Sequence, residues 1–417
     1  MNNLNFLVDV LKESPVFKTL EKNVKPGRTV CASGLSTINK SNIIYALCRL
    51  KGVTAFCLAS DEKEAQTLCN DLSCMGLRAY VYPVRDFNFL DFQSRSHEYE
   101  HARLKVLLKL INHECDVAIA CVDAAAQLTV PRNVLEQSVI EFEEGRELSL
   151  EKATKALTLL GYERFDAVEG SGQFSLRGGI LDFFMPDSDY PVRCEFWGDE
   201  ITDLSYFDIE TQRRFKKADK ITLSPSTEIV IEDRAALADK IEHKAKLLRS
   251  KNSAKAKEKL FSEAELIRSG AMIANADKFI NQIYDKPESL FDYLDRNTLV
   301  FASEFTAIQE RGKSMDFISN ETLMQGFEDG TLCRGFDRFA LTFNECTEFL
   351  QSHGTIVLEN FVHGSMPIKL SEIISFSTKQ LSAWGGSYKQ LKEDVDGLFT
   401  PESKGVIFAG TERAAKN

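Results

Sequence analysis

Val53-Thr-Ala-Phe-Cys-Leu-Ala-Ser-Asp-Glu-Lys-Glu-Ala-Gln-Thr-Leu68 is the stretch that decides the fold. The run to Ala59 is almost wholly apolar, the pattern of a strand buried on both faces. Ser60-Asp61 then caps a helix that continues to about Leu72. The same alternation repeats on either side. Arg28-Thr-Val-Cys-Ala-Ser-Gly34 reads as a strand ending in a glycine turn, and Ser41 to Leu50 as a helix. Ala79-Tyr-Val-Tyr82 is a strand stopped by Pro83. Glu98 to Asn112 is a helix, and Asp116-Val-Ala-Ile-Ala-Cys-Val122 a further strand. Strand and helix in turn predict a parallel sheet with helices on its faces.

The pattern changes near Pro131. From there to Arg214 short strands with period-two alternation and hairpin turns surround one helix, Ser149 to Leu160, as in a small antiparallel α+β domain inserted into the first. Residues 215–334 turn helical and rich in Lys, Glu and Ala. Glu232 to Leu248 and Lys255 to Ile273 suggest a solvated helical hairpin. Thr298-Leu-Val-Phe-Ala302 is a lone strand that fits back into the first sheet. The last block, 335–417, carries strands at Gly354-Thr-Ile-Val-Leu358 and Lys404-Gly-Val-Ile-Phe-Ala409, and stops in the opening turns of a capped helix at Thr411. The expected divisions are therefore 1–130 and 215–334 for the sheet domain and 131–214 for the insert. A partial α/β domain, cut inside its fold, follows at 335–417.

The 417 residues carry 51 basic and 62 acidic side chains, a net −11. That argues against a uniformly basic nucleic-acid surface and leaves room only for a local patch. With 43% apolar and 27% charged residues the chain has a globular composition, not a disordered one. The ten cysteines form no C-x-x-C pair and do not combine with the six histidines at zinc-ligand spacing. Reduced core thiols in a cytoplasmic protein are the expectation. The N-terminus lacks a signal-peptide pattern, and no apolar run approaches the ~20 residues that span a bilayer, so no membrane role is expected.

Gly34-Leu-Ser-Thr-Ile-Asn-Lys-Ser41 has the frame of a phosphate loop, but Asn39 stands where the second glycine belongs, ahead of Lys40 and Ser41. That glycine lets backbone amides turn inward around phosphates. The strand that should end in a Mg²⁺-binding carboxylate reads Leu299-Val-Phe-Ala-Ser303-Glu304, with Ser303 where Asp is expected. Both half-motifs are degenerate. Lys40 and Ser41 read equally as the opening of a helix.

In the insert, Gly172-Gln-Phe-Ser-Leu-Arg-Gly-Gly-Ile-Leu-Asp-Phe-Phe184 is a strand, a glycine pair and a second strand. Val192-Arg-Cys-Glu-Phe-Trp197 follows, turning through Gly198-Asp199. Alternation puts Val192, Cys194 and Phe196 on the inner face and Arg193, Glu195 and Trp197 on the outer, with Arg177 outward in its own strand. Trp and Arg are common interface anchors. The alternative is that Trp197 packs under a loop and both arginines pair with Glu195, Asp182 or Asp199.

These two segments, with Phe207-Asp-Ile-Glu-Thr-Gln-Arg213, resemble the bacterial transcription-repair coupling factors (Mfd) and, more distantly, the UvrB component of the bacterial excision nuclease. Weaker likeness runs from the loop at Gly34 through Tyr82-Pro83 and Ser94 to Arg103. The resemblance implies a DNA-repair module whose nucleotide-binding fold, helicase-like in origin, has lost its phosphate loop. It implies that the insert docks UvrA, another component of the excision nuclease, through Arg177, Arg193 and Trp197, the last often Phe in the family. In full-length members an ATP- and Mg-dependent motor, double-stranded DNA binding and RNA polymerase binding lie beyond this part. This chain is then expected to be an N-terminal fragment, to hold no cofactor and to have no catalytic residues of its own. A live nucleotide-dependent DNA enzyme and a DNA-binding scaffold are the competing readings.

Overall fold

Each strand expected around Val53 takes its place in one seven-stranded sheet. The computed structural model describes residues 5–85, 97–249, 253–270, 276–361, 366, 368–378, 387–398, 400 and 405. Its strands are β1 (Val30–Ser33), β2 (Ala55–Ala59), β3 (Ala79–Val81), β4 (Val117–Cys121), β5 (Ile140–Glu143), β6 (Glu163–Arg164), β7 (Gln173–Arg177), β8 (Ile180–Phe183), β9 (Val192–Trp197), β10 (Glu200–Phe207), β11 (Arg214–Lys217), β12 (Lys220–Leu223), β13 (Leu299–Ser303), β14 (Thr355–Leu358) and β15 (Glu372–Ser375). The large sheet has the order β15-β1-β14-β13-β2-β4-β3, and every pairing in it is parallel.

Alternate strand residues feed two cores. Val30, Ala32, Ala55, Cys57 and Phe301 pack against the helices Thr37–Lys51 and Glu62–Cys74. Phe56, Leu58, Val300 and Val357 pack against the helices Glu98–Ile111, Phe305–Asp329 and Phe343–His353. Burial on both faces is what makes β2 and β4 read as unbroken apolar runs. The Asp61 side chain caps the Glu62–Cys74 helix by accepting from the Glu64 amide at 2.7 Å.

The fold class holds, but two boundaries move. β14 and β15 belong to the last block, yet they flank β1 inside the large sheet, so that block supplies two strands to the sheet of the first domain. Parallel pairing joins strands distant in sequence, and no local pattern reveals it. The insert runs past Arg214, because β12 returns to pair antiparallel with β5, Ile221 opposite Phe142. The lone strand expected near Thr298 is β13, at the centre of the sheet. The helical hairpin is present as Arg234–Leu247 and Ser253–Arg268, packed through Leu237, Ile241, Leu260 and Ala264. The expected strand from Lys404 to Ala409 (Gly405 apart), the helix after Thr411, and Ser94 lie outside the described residues.

A buried ionic network fastens the return of the insert to the sheet domain. Arg103 and Glu228 are both fully buried, with Nε 2.6 Å from Oε1, and the guanidinium lies 4.1 Å from the Tyr82 ring centre. Glu100 accepts from the Glu228 amide at 2.8 Å and the Thr227 hydroxyl at 2.9 Å. Arg85 Nη2 binds Asp277 at 2.9 Å. No motif announces this network, since its members come from four distant stretches.

Candidate functional site

The insert's main sheet has the order β11-β10-β9-β8-β7-β6. Its inner face, with Phe174, Leu181, Phe183, Val192, Cys194, Phe196 and Leu204, packs on Ala153 and Leu157 of the helix Leu150–Leu159. Two tight hairpins set its register. Gly178-Gly179 joins β7 to β8, with Arg177 opposite Ile180, and Gly198-Asp199 joins β9 to β10, with Trp197 opposite Glu200. Gly178 and Gly198 hold φ of +61° and +64°, backbone that favours glycine. A Cβ on Gly179 would stand 2.7 Å from the Phe196 carbonyl oxygen. The close approach is real, because Gly179 O accepts from the Phe196 amide at 2.8 Å. Both turns therefore meet at one end of the sheet.

Trp197 projects from that end with 82% of its surface exposed. Burial along β9 alternates as the sequence predicts, inner Val192, Cys194 and Phe196 against outer Arg193, Glu195 and Trp197. Arg177 is half exposed and sends Nη2 to Asp182 Oδ2 at 2.8 Å. Arg193 is on the same face but lies down on it. Its Nε and Nη2 grip both Asp182 oxygens at 2.8 and 2.9 Å, and Nη1 reaches Gln212 O at 3.1 Å. Its guanidinium covers the Phe207 ring at 4.4 Å, and only 13% of the side chain stays exposed. Asp182 is fully buried and accepts from both arginines.

The ring is free; both cations pair with Asp182. Arg177 retains an open side, whereas Arg193 positions Asp182 and, through it, Arg177. The neighbours that sequence reasoning left out are Gln212 and Arg214. Arg214 pairs with Glu195 and, at 3.0 Å, with Asp203, so those carboxylates do not stand free beside Trp197. The hairpin register carried the signal for Asp182: it falls opposite Arg193 in β9.

The degenerate loop lies where β1 ends, at the carboxyl edge of the parallel sheet. Gly34, at φ +79°, has the Phe376 carbonyl so close that a Cβ would collide with its oxygen. Its amide donates to Asn360 O at 3.2 Å, and the Leu35 amide to Glu359 O at 3.1 Å. Asn39 Nδ2 donates to the Ser36 hydroxyl at 2.9 Å. Ser41 is buried and donates to Asp71 at 2.9 Å. Lys40 is buried as well, with Nζ 2.5 Å from Glu304 Oε1, 3.0 Å from Ser303 Oγ and 3.7 Å from Glu64. Ser303 donates in turn to Glu64 at 2.5 Å. Glu304 sits at φ +57°, held by the Asn360 amide on its carboxylate at 3.0 Å.

Glu359 completes this cluster from beneath. It is fully buried, accepts from the Phe305 amide at 2.8 Å through Oε1, and leaves Oε2 without a partner. Burial, reinforced by the neighbouring Glu304 charge and opposed by the Phe305 amide, pushes its carboxyl up to about 7. The amides of Gly34 and Leu35 are spent on carbonyls, and the lysine that would reach a phosphate is spent on carboxylates.

The ten thiols are all free, and burial pushes that of Cys48 up to about 12. Among the described residues no cluster of His, Cys, Asp and Glu is arranged to hold a metal ion, and no helix is long and apolar enough to cross a membrane.

Comparison with known proteins agrees with the motifs. Residues 140–229 match the UvrB interaction domain, which covers β5 through β12. The chain is 26% identical over 416 residues to the transcription-repair-coupling factor of Bacillus subtilis, covering 97% of this chain and 35% of that protein. It is 25% identical over 353 residues to that of Staphylococcus epidermidis, covering 80% of this chain and 29% of the relative. With that of Staphylococcus aureus (strain MRSA252) it shares 22% over 420 residues, 98% of this chain and 35% of the relative. The resemblance is borne out along the chain, which spans 35% of the length of the Bacillus relative.

Proposed function

We propose that this chain is the recruitment module of a transcription-coupled DNA-repair factor. The insert holds UvrA of the excision nuclease, and the parallel-sheet domain performs no nucleotide chemistry. The observation that carries the docking half is Trp197, a large ring left 82% exposed at the rigid end of a small sheet whose other aromatics are mostly turned in or paired. An indole supplies apolar contact area at little entropic cost. Arg177, two strands away on the same face, keeps part of its planar fork available for a carboxylate or carbonyl of the partner. Arg193 acts through Asp182, as a positioning residue.

The absence of nucleotide chemistry is supported by the cluster at Lys40. A triphosphate arriving there would meet Glu64, Glu304 and Glu359 at a lysine already in use. The reading of a live nucleotide-dependent DNA enzyme needs that lysine free. Contacts with RNA polymerase and duplex DNA, and the ATP- and Mg-dependent motor, we assign to portions of the relatives that this chain does not span. The DNA-binding scaffold is disfavoured by the net −11.

Pull-down of purified UvrA by this chain is the direct test. Trp197→Ala is expected to lose capture while melting at the wild-type temperature; undiminished capture would remove Trp197 from the docking site.

A further inference from the structure

The end of the parallel sheet opposite the Gly34 loop, where β1, β13 and β14 begin, holds a cleft of about 240 Å³. Its floor is apolar, formed by Val53, Val300 and Ile356 among others. Its rim carries the cations Lys25, Arg28, Lys51 and Arg296, and among the described residues none that lines it is a carboxylate. In a chain with eleven more acidic than basic side chains that composition is unexpected.

Ion pairing accounts for only part of the charge. Lys51 lies 3.7 Å from Glu21, and Arg28 Nη2 lies 3.2 Å from Glu372. Lys25 and Arg296 have no ion pair among the described residues. Arg28 Nε is buried and has no acceptor among the described residues. A buried N–H left without a partner is costly, so Arg28 Nε calls for an acceptor from outside the protein, a water or a bound ligand. Helix termini explain some of the cations, since Lys51 closes the helix Thr37–Lys51 and offsets its dipole. They do not explain Arg28 or Arg296.

We propose that this cleft binds a small phosphate ester or oligophosphate. Arg28 Nε supplies the buried donor, and Lys25 and Arg296 close on the anion from the rim. Phosphate fits because its oxygens can accept from several cations at once, which a single carboxylate cannot do as fully. The cleft is concave, and the adjoining hollow brings the carboxylates Asp116 and Asp295 into its lining. In the adjoining hollow Arg49 is held by Gly76 O at 2.9 Å and Arg78 by Asp116 at 2.8 Å. Ligands of open α/β sheets usually bind at the carboxyl ends of the strands. This site is at the amino ends, so it is not a remnant of the degenerate loop, and it does not rest on the docking proposal.

Calorimetric titration of the full chain with inorganic pyrophosphate at fixed ionic strength provides the test. One saturable site is expected, weakened at least ten-fold by the double substitution Lys25→Gln and Arg296→Gln and unchanged by Trp197→Ala. Both cations are on the surface, so the double variant should melt as wild type does. Absence of saturable binding, or equal binding by the double variant, overturns the proposal. A second arm uses single-stranded and duplex oligonucleotides. If they saturate the cleft and pyrophosphate does not, the small-ligand assignment is wrong.

Discussion

Arg193 and Trp197 are four residues apart on one face of one strand, yet their environments separate them. Trp197 touches little of its own chain, so Trp197→Ala is expected to weaken UvrA binding by at least about 2 kcal/mol, roughly thirty-fold in Kd, with no change in unfolding. Arg193 has two bonds to a fully buried carboxylate. Removing one partner of a buried pair strands the other, and Arg193→Ala should destabilise the chain by about 3 kcal/mol in urea unfolding. Any binding lost in that variant then reflects a disturbed insert. Arg177→Ala separates the cases: Asp182 keeps its bidentate partner, so capture should fall while the unfolding midpoint barely moves.

At the scale of elements, β15 and the segment after β14 decide the fate of the phosphate loop. The Phe376 carbonyl covers Gly34, and the carbonyls of Glu359 and Asn360 take the amides of Leu35 and Gly34. Lys40 has become part of a buried charge cluster. In a working loop this lysine awaits a phosphate, and its loss abolishes binding while sparing the fold. Here Lys40→Met should lower stability by about 3–5 kcal/mol, because Glu304 and Glu64 lose a buried counter-charge. A fluorescent ATP analogue with Mg²⁺ should show no binding to the wild type. Micromolar binding with turnover would restore the enzyme reading.

Across the whole molecule two buried carboxyls give stability opposite slopes with pH. Burial alone would raise Glu100, but the His97 hydrogen bond and the Arg85 charge prevail and hold it down to about 2. Its contribution is present above the usual 4.5 and is lost as pH falls toward 2. Glu359 is raised from 4.5 to about 7, so the folded state retains its proton longer than the unfolded state does. That contribution is full below about 4.5 and is lost as pH rises through 7. Glu359→Gln mimics the protonated form. Melting curves of wild type and variant should nearly coincide at pH 5, with the variant more stable at pH 8. A constant difference across that range would show that Glu359 does not titrate there.

Local pattern was enough for the parallel sheet domain, for the helical hairpin, for both glycine turns and for the outer face shared by Arg193, Glu195 and Trp197, but not for whether a loop covers the indole, which the folded chain leaves exposed. Those features depend on burial periodicity and on glycine's access to positive φ, which neighbouring residues encode. The two defects of the phosphate loop were equally plain, since they are substitutions at fixed positions. Contacts between distant segments were beyond such reading. Only the folded chain threads β14 and β15 beside β1, closes the insert with β12, lays Arg193 down on Asp182 and fills the loop with Glu304 and Glu359. Each is a pairing across tens to hundreds of residues, where register and charge partners are chosen by three-dimensional packing.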